Sequence, residues 1–437
     1  MHDRRDFLKN AASAALTTSI FTGNVKGANG RIRVALIGMG RMGMSNLGFA
    51  MKQPDVEIVS VCDVYQPHLE KAVAASGRSA EGVPDSRPQA KGVKDFREVF
   101  EDKSVDAVCI STPDHWHAYM TVEACKAGKD VYVEKPIAVA VDEGRKMVQA
   151  ARKYNRVVQA GTMQRSGDHF QKACQMVRNG DLGKVTFVRT WNYGNMPEEG
   201  IGNPPDAEPP PDLDWEMWLG PAPRRPFNAN RFGVDPKAFS HFRWFWDYAG
   251  GMMTDWGIHL LDIVQMAFAE AAPKSITALG GKYFIKDNRE TPDTLQVTYE
   301  YPGFIATYEN RLANSQSMFQ QGYGILFHGS EGTLFVDRSR YQVIPEKGSS
   351  LEPVEVKSSN NSNLAHWANF LECIRTREKP ISDIEICHRS TTTAILGNVA
   401  LRSKLRIDWD SRAETTAQSE ARKFLHREYR KPWKLEV

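Results

Sequence analysis

The chain contains 437 residues, of which 41% are hydrophobic and 25% are charged, and this balance is typical of a globular protein with a large core. The length predicts two or three domains. The formal net charge of +3 is too small to indicate binding to nucleic acid or to an acidic surface. No apolar run reaches the roughly 18–20 residues of a membrane span, so we expect no stable membrane insertion. The six cysteines form no C-x-x-C pair, and we expect them to be buried and unpaired.

Residues 1–30 are interpreted as a targeting segment rather than as part of the fold. Residues 4–9 read RRDFLK, and a weakly apolar stretch rich in Ala, Ser and Thr follows at 11–21. This layout predicts a twin-arginine export signal, and so passage through the twin-arginine translocase to the periplasm or the exterior. Asp3 stands where Ser or Thr is usual, and the best cleavage candidate, at 25–27, is not a clean Ala-x-Ala site. A disordered basic leader is the alternative.

The first apolar run after the leader ends in a turn of the form Gly-x-Gly-x-x-Gly, at Gly38, Gly40 and Gly43. In such a strand-turn-helix unit the first glycine permits the tight turn, the second lets the backbone approach a pyrophosphate, and the third lets the helix pack on the strand. The phosphates would lie at a helix N-terminus, which favours an anion. Asp63 ends the next apolar run, where its carboxylate would bind the adenosine ribose and repel a 2′-phosphate. The pattern predicts a dinucleotide site, with NAD favoured over NADP.

Short apolar strands alternate with helical patterns through residues 31–160, which indicates an α/β domain with a doubly wound parallel sheet, the Rossmann arrangement. The strands are predicted at 34–37, 56–62, 107–111, 130–133 and 156–160, and the helices at 43–52, 66–76, 95–101, 115–127 and 141–154. Residues 77–93 contain Gly, Ser, Pro and mixed charges, and they predict a surface loop or lid.

A second domain, of the α+β class, is predicted over 161–409, where it would bind the substrate and mediate oligomerisation. Residues 194–240 are rich in Pro, Gly, Asn and Asp and predict a long irregular arm. Strand-turn-strand patterns then predict a large, mostly antiparallel open sheet, with strands at 274–285, 293–301, 303–311, 322–329 and 332–337. Helices at 363–377 and 387–401 would cover one face of this sheet. The charged tail at 410–437 is expected to pack on the chain or to cross to a neighbouring subunit.

Three polar residues from distant segments form an acid–base set. Lys135 lies just past the strand at 130–133, where a buried ammonium is costly unless its charge is needed. Asp255 and His259 are four residues apart after a glycine pair, so we expect them to share one helix face. An imidazole can accept a hydroxyl proton as hydride leaves, a carboxylate can orient it or bind the substrate, and an ammonium can stabilise an alkoxide. Each also has a structural interpretation, as a core histidine, a helix N-cap and a solvated lysine.

These features together resemble the Gfo/Idh/MocA family of NAD(P)-dependent oxidoreductases. The similarity rests on the glycine turn, on the tripeptide E-K-P at 134–136 after a strand, and on D-x-x-x-H after the glycine pair, and it runs from about 31 to 409. In that family the corresponding lysine, aspartate and histidine line the site beside the nicotinamide. The resemblance therefore implies catalytic roles for Lys135, Asp255 and His259, and a homodimer or homotetramer.

Further residues are expected around the cofactor and the substrate. The set predicted to bind the cofactor is Gly38, Gly40, Arg41, Met42, Gly43, Asp63, Thr112, Pro113, His117, Glu134, Lys135 and Gln164, several of them by resemblance. The set predicted to bind the substrate is Arg165, because it lies just past the strand at 156–160, and the aromatic residues Trp191, Tyr193, Trp244 and Trp246, because the C–H-rich faces of sugars pack on aromatic rings. These aromatic residues equally suit a core or subunit contact, and His117 equally suits a structural role. Asp114, His115 and His117 are poorly spaced for a metal, and no metal site is predicted.

The leading functional hypothesis is an exported dehydrogenase in which hydride passes between a sugar, glycoside or cyclitol carbon and the nicotinamide. Because a periplasm offers little free NAD(H), we expect the cofactor to be bound tightly and loaded before export. One alternative is a glycosidase that uses bound NAD for transient oxidation at C3 followed by elimination, although such enzymes tend to depart from the E-K-P lysine. The other is a non-catalytic NAD-binding sensor, against which the presence of Lys135, Asp255 and His259 argues.

Overall fold

The computed structural model describes residues 30–78, 88–233, 241–269 and 271–437. The export signal predicted at 1–30 therefore lies, except for Gly30, outside the described residues. The described chain forms one parallel sheet, one larger mixed sheet and a short two-stranded ribbon.

Six parallel strands form the first sheet, in the order β3-β2-β1-β4-β5-β6. They are β1 Ile32–Ile37, β2 Val56–Cys62, β3 Lys91–Val93, β4 Ala107–Ile110, β5 Asp130–Val133 and β6 Val158–Ala160, and the helices between them are α1 Arg41–Met51, α2 Gln66–Ser76, α3 Phe96–Glu101, α4 Asp114–Lys126 and α5 Val141–Lys153. Neighbouring residues of β1, such as Ala35 and Leu36, pack into two different apolar cores. Both faces of the sheet are thus covered, and the predicted doubly wound arrangement is confirmed.

Ten strands form the second sheet, in the order β16-β15-β14-β13-β7-β12-β11-β10-β17-β18. They are β7 Val185–Tyr193, β10 Ser275–Gly281, β11 Thr294–Tyr301, β12 Phe304–Arg311, β13 Tyr323–Gly329, β14 Gly332–Val336, β15 Arg340–Pro345, β16 Val354–Lys357, β17 Ile407–Asp410 and β18 Thr415–Thr416. Only β7 and β12 run parallel among these described pairs. The predicted large and mostly antiparallel sheet is confirmed.

The remaining elements connect the two sheets or pack on them. The arm contains the ribbon strands β8 Asp206–Ala207 and β9 Phe227–Asn228, and the remaining helices are α6 Asp168–Asn179, α7 Trp215–Leu219, α8 Ala229–Phe232, α9 Gly251–Asp255, α10 Gly257–Ala267, α11 Ser362–Thr376, α12 Ile384–Ser403 and α13 Ser419–Arg422. Two 3₁₀ turns lie at Met163–Ser166 and His241–Trp244. None of the described helices is long and apolar enough to cross a membrane.

The two C-terminal helices do not cover the same sheet, which corrects the prediction that both would lie on the antiparallel one. Trp367 of α11 stacks on Tyr132 of β5, with ring centroids 4.9 Å apart and planes within 9°. With Phe370 it joins the core of the parallel sheet. The large aromatic side chains of α11 therefore bury themselves against the first domain, and α12 packs between α5, α10 and β10.

The charged tail packs on its own chain. The Tyr429 hydroxyl donates a hydrogen bond to Glu143 Oε1 at 2.7 Å. The ring of Trp433 meets that of Trp116 edge to face, with centroids 4.9 Å apart. The tail thus ties the C-terminus to the first domain. All six cysteines are buried and free, as predicted. The predicted surface loop at 77–93 includes the edge strand β3, and its residues 79–87 lie outside the described chain.

Candidate active site

A cavity of about 210 Å³ opens at the carboxyl edge of the parallel sheet, where the strand order reverses between β1 and β4. Open α/β sheets bind ligands at such a reversal. The first domain contributes the glycine turn and the residues after β2, β4 and β5, among them Gly38, Gly40, Arg41, Met42, Asp63, Thr112, Pro113, Asp114, His117, Glu134 and Lys135. The arm and the segment after it contribute Met217, Trp218, Phe232, Phe242 and Arg243. The cavity therefore lies between the two domains.

The three glycines of the turn have different surroundings. Gly38 has a φ of +85°, and a Cβ there would lie 2.6 Å from Thr112 N. A Cβ on Gly43 would lie 1.9 Å from the carbonyl oxygen of Gly38, so this position admits no side chain. A Cβ on Gly40 would meet nothing closer than His68 Cε1 at 4.0 Å. Packing thus requires Gly38 and Gly43, whereas Gly40 leaves open space in the cavity for a ligand.

We expect alanine at Gly43 to lower the stability of the protein and alanine at Gly40 to weaken its binding of the dinucleotide. Gly43→Ala should lower the free energy of unfolding by about 1–3 kcal/mol, because its Cβ collides with backbone. Gly40→Ala should leave stability nearly unchanged and weaken dinucleotide binding about tenfold, a cost of about 1.4 kcal/mol. Chemical denaturation and titration with NADH, followed by its fluorescence, check both. Equal loss of stability in the two variants would contradict the assignment.

Asp63 is fixed at the carboxyl end of β2 by backbone donors. Met39 N donates to Oδ2 at 2.6 Å and Tyr65 N donates to Oδ1 at 2.9 Å. The residue lines the cavity together with the N-terminus of α1, where no side chain accepts a capping hydrogen bond among the described residues. First-turn N–H groups remain available for a phosphate, and the carboxylate for a ribose. These residues fit a bound dinucleotide.

Lys135 and Asp255 are brought together from the two domains. Lys135 Nζ donates to Asp255 Oδ1 at 2.6 Å and to its carbonyl oxygen at 3.0 Å. The same carboxylate oxygen lies 2.9 Å from Arg243 Nε. Burial alone would raise the pKa of Asp255, but the charges and hydrogen bonds of Arg243 and Lys135 hold it below its ordinary value. Asp255 is therefore an ionised anchor for Lys135 at the cavity wall.

Asp255 and His259 lie on two successive helices rather than on one. Asp255 ends α9 and His259 lies in the first turn of α10, with Trp256 between them. The two residues therefore do not share the single helix face that we predicted. Asp255 forms its hydrogen bonds with Lys135 and Arg243, and no hydrogen bond joins it to His259 among the described residues. In this structure the carboxylate orients the lysine, not the imidazole.

His259 is buried beside this pair as a neutral imidazole. Burial, and then the charges of Lys135 and Arg338, lower the pKa of His259 well below 6.5. Its Nδ1 is enclosed without a hydrogen-bond partner among the described residues. Its backbone carbonyl accepts a hydrogen bond from Gln164 Nε2 at 3.2 Å. His259 and Asp255 do not belong to the residues that line the dinucleotide cavity, whereas Lys135 does, so Lys135 connects the two parts of the site.

Glu134 belongs to a buried network below the cavity. Asn46 Nδ2 donates to Glu134 Oε1 at 2.9 Å and to Ser111 Oγ at 3.0 Å, and Trp367 Nε1 donates to Asn46 Oδ1 at 3.2 Å. Burial raises the pKa of Glu134 despite the hydrogen bond from Asn46. The network holds the carboxyl group in a fixed position at the cavity wall.

His117 bridges two loops at the same edge. Its ring nitrogens lie 2.7 Å from the carbonyl oxygen of Pro136 and 2.8 Å from that of Thr112. Burial lowers its pKa to about 4. The imidazole therefore lies between the segments after β4 and β5, where its neutral form donates to one of the two carbonyl oxygens, and the residue also lines the cavity.

Asp114, the first residue of α4, is a buried acid in the cavity wall. Burial raises its pKa to about 7, against the opposing charges of Arg243 and Lys135. Because the native protein holds this proton more tightly than the unfolded chain, the stabilisation is fully present below the ordinary pKa of 3.8 and is lost as the pH rises through about 7. A cost of ionisation therefore remains at pH 8.

We expect Asp114→Asn to relieve this cost. The variant's melting temperature should rise relative to wild type as the pH is raised from 5 to 8, because the amide does not ionise. Thermal denaturation in saturating NAD at four pH values measures the difference. If the difference in melting temperature between Asp114→Asn and wild type is the same at all four pH values, Asp114 does not titrate in this range.

Comparison with known proteins agrees with this geometry. Residues 32–162 match the Gfo/Idh/MocA model described as "Oxidoreductase family, NAD-binding Rossmann fold", and residues 184–435 match the one described as "Oxidoreductase family, C-terminal alpha/beta domain". The chain belongs to the Gfo/Idh/MocA oxidoreductase family. Its first domain is the NAD-binding domain of that family, which agrees with the fit of the cavity.

The matches to individual relatives of this oxidoreductase span different shares of the chain. The scyllo-inositol 2-dehydrogenase (NAD(+)) of Bacillus subtilis is 23% identical over 366 residues, which is 81% of this chain and 90% of that protein. A glycosyl hydrolase family 109 protein of Shewanella putrefaciens is 29% identical over 230 residues, and the match spans only 45% of each chain. The WlbA dehydrogenase of Bordetella pertussis, solved with NADH and UDP-GlcNAcA, superposes with a TM-score of 0.64 at 19% identity over 87% of this chain and 99% of that one. This last likeness shows a shared fold.

Two of the residues predicted to bind substrate pack the second sheet of the oxidoreductase. Trp191 is fully buried against Phe335, and its Nε1 donates to the carbonyl oxygen of Gln321 at 3.0 Å. A fully enclosed ring offers no face to a sugar, which corrects the prediction for Trp191. The Tyr193 ring lies under the guanidinium of Arg311, 3.7 Å from its Cζ, and it does not line the cavity either.

The other three predicted substrate residues also lie away from the cavity. Arg165 is buried in an ion pair with Asp262 at 2.8 Å. Trp244 is 3% exposed and packs beneath the guanidinium of Arg289. Both side chains stabilise the fold, which corrects the prediction that they bind the substrate. Trp246 is half-buried against Arg402 in a separate small pocket. The two buried rings, those of Trp191 and Trp244, are thus part of the core, whereas Arg165 is held by its ion pair.

Three charged residues of the oxidoreductase site were not predicted from the sequence. Arg243 lies in the stretch F-R-W-F-W, and Arg338 lies two residues past the end of β14. A charge among aromatic residues is costly to bury without a purpose, and this signal could have identified Arg243, whereas no local pattern marks Arg338. Asp114 was considered only for a metal. No cluster of metal-binding side chains occurs in the part of the chain that the structure describes.

Proposed function

We propose that this oxidoreductase is an NAD-dependent dehydrogenase that moves hydride between a hydroxyl-bearing carbon of a sugar, glycoside or cyclitol and the nicotinamide. The observation that carries the proposal is the 2.6 Å pair between Lys135 Nζ and Asp255 Oδ1, in which the lysine also lines the dinucleotide cavity. A buried, neutral imidazole at His259 adjoins this pair. An ammonium and a neutral base beside a redox cofactor suit the oxidation of an alcohol.

The nicotinamide, when bound, supplies the hydride acceptor. Lys135 donates a hydrogen bond from Nζ to the substrate oxygen and stabilises the negative charge that develops there. His259 accepts the hydroxyl proton, for which its neutral form is required. Asp255 stays ionised and fixes the ammonium, because it already pairs with two cations. Each residue has a separate part in removing one proton and one hydride.

NAD is proposed over NADP because the Asp63 carboxylate faces the cavity and is held there by two backbone donors. A 2′-phosphate would meet its negative charge. The match to an inositol dehydrogenase over 81% of the chain supports a polyol or sugar substrate.

A glycosidase that oxidises its substrate transiently with bound NAD is the second candidate, and the matches to glycosyl hydrolase family 109 proteins favour it. Lys135 argues for the dehydrogenase, since such glycosidases tend to lack this lysine. Incubation with an aryl glycoside distinguishes them. Release of the aglycone without net formation of NADH would support the glycosidase, and net NADH without release would support the dehydrogenase.

We also propose export through the twin-arginine translocase with NAD already bound. The support is the sequence RRDFLK at 4–9 and the weakly apolar stretch after it. Changing both arginines to lysine should retain the protein in the cytoplasm. Fractionation of cells that express either form, with a folded cytoplasmic marker as control, checks this expectation.

The experiment that tests the main proposal is purification of the protein followed by mass identification of the dinucleotide that remains bound. A panel of monosaccharides, cyclitols and glycosides is then followed by the absorbance of reduced nicotinamide. We expect co-purified NAD(H) and reduction by at least one hydroxyl compound. Failure of every such compound to change the redox state of the bound cofactor would overturn the dehydrogenase assignment.

A further inference from the structure

Arg338 lies on an aromatic platform next to His259. Its Cζ is 4.7 Å from the ring centroid of Trp256 and 5.8 Å from that of Tyr323. The two rings contact each other with centroids 4.9 Å apart. All three side chains are half-buried, so each keeps part of its surface exposed. Stacking of this kind fixes the plane of a guanidinium while its N–H donors stay free to bind.

The guanidinium has no anionic partner in the described chain. Its Nε donates to the amide oxygen of Gln164 at 3.2 Å, and no carboxylate of the described residues lies within 4.0 Å of it. Burial lowers its pKa, the direction expected of a partly desolvated cation without a counter-ion. Two buried guanidinium groups are paired, that of Arg165 with Asp262 and that of Arg289 with Asp287.

The unpaired charge lies close enough to His259 to lower the pKa of that imidazole. Gln164 accepts from Arg338 and donates to the carbonyl oxygen of His259, and so links the two residues. The ring of Trp256 lies 6.3 Å from that of His259. Lys135 and Arg243 already share the single carboxylate of Asp255, so no negative charge there is left for a third cation. The other carboxyl groups beside Lys135 and Arg243 are those of Asp114 and Glu134, and burial raises the pKa of both, so an anionic group of the substrate can still supply the charge that Arg338 lacks.

We infer that Arg338 binds an anionic group of the substrate, and that the substrate class is an acidic sugar, carrying a carboxylate or a phosphate ester, rather than a neutral one. The inference rests on the proposed dehydrogenase function and specifies its substrate. A planar guanidinium held by stacking presents paired N–H donors that match either oxyanion. Trp256 and Tyr323 offer apolar surface for the C–H face of the ring that carries the anion.

Binding to the NADH-loaded protein tests this inference without turnover, because a reduced cofactor cannot accept hydride from an alcohol. Calorimetric titration with glucose, glucuronate and glucose 6-phosphate compares a neutral sugar with the two oxyanions. Wild type should bind one of the anionic sugars at least about tenfold more tightly than glucose, and the preferred one identifies the anion. Arg338→Met should remove about 10- to 100-fold of that affinity and leave glucose binding within about twofold. Arg338→Lys should restore part of it.

Arg340→Met is the matched control, since Arg340 lies two residues away and pairs with Glu355 at 2.7 Å. This variant should bind all three sugars as wild type does. Equal binding of the three sugars by wild type, or equal losses in Arg338→Met and Arg340→Met, would overturn the inference. If the anionic preference is found but no sugar reduces the NAD-loaded protein, the inference holds and the proposed dehydrogenase function fails.

Discussion

Replacing Lys135 with methionine is expected to lower kcat for alcohol oxidation by about 10²–10³-fold, the usual effect of removing one donor to a developing oxyanion. The ammonium is fixed 2.6 Å from Asp255 Oδ1 and lines the dinucleotide cavity, so its loss removes a positioned charge at the substrate oxygen. Methionine keeps most of the apolar stem. Arg243 still pairs with Asp255, so the carboxylate is not left without a cation. Initial rates with a substrate from the panel measure the effect.

NADH fluorescence should show that the Lys135→Met protein still binds its cofactor. Lys126→Met is the control, because Lys126 is a partly exposed lysine that pairs with Glu123 on α4. It should behave as wild type. A Lys135→Met enzyme with a kcat near that of wild type would remove the lysine from the mechanism and favour a purely structural pair with Asp255.

Replacing His259 with glutamine is expected to lower kcat by about 10²–10⁴-fold, the usual contribution of a general base. The base must be neutral to accept a proton. Because burial and the charges of Lys135 and Arg338 lower the pKa of His259 well below 6.5, the neutral form predominates at pH 7 and above. The kcat/KM of wild type should therefore show no loss from His259 as the pH falls from 8 to 6.5. The loss should begin only at lower pH.

The pH profile distinguishes a base from a structural histidine. His259→Gln should abolish the acidic limb as well as the rate, whereas a histidine that only supports packing would leave the limb in place. His426→Gln is the control, since His426 is mostly exposed in the tail. If both Lys135→Met and His259→Gln reduce the cofactor at near wild-type rates, the catalytic roles proposed for Lys135 and His259 are wrong.

The sequence alone was sufficient for the elements whose signals are local. The glycine turn at 38–43, the strand before it and Asp63 after the next strand predict a dinucleotide site because each depends on spacing along the chain. The strand pattern of the second domain predicts its sheet for the same reason. Lys135 could be identified because a lysine next to a buried strand end is costly without a purpose.

The tertiary structure decided which side chains meet. Nothing in the spacing of Asp255 and His259 indicates that the carboxylate turns to Lys135 and Arg243, which come from distant segments. The same holds for Trp191, whose ring could face a sugar or a core and is fully buried.

Helix α11 and Arg338 also separate what local sequence predicts from what long-range contacts decide. The helical period of α11 is visible in the sequence, but its choice of the parallel sheet depends on the stacking of Trp367 on Tyr132. A role for Arg338 could be inferred only from the structure, in which its neighbours are Trp256 and Tyr323 rather than a carboxylate. Local periodicity is set by residues a few positions apart, and a chain can be analysed for it directly. Packing and charge pairing are set by long-range contacts, which exist only after the two domains have folded against each other.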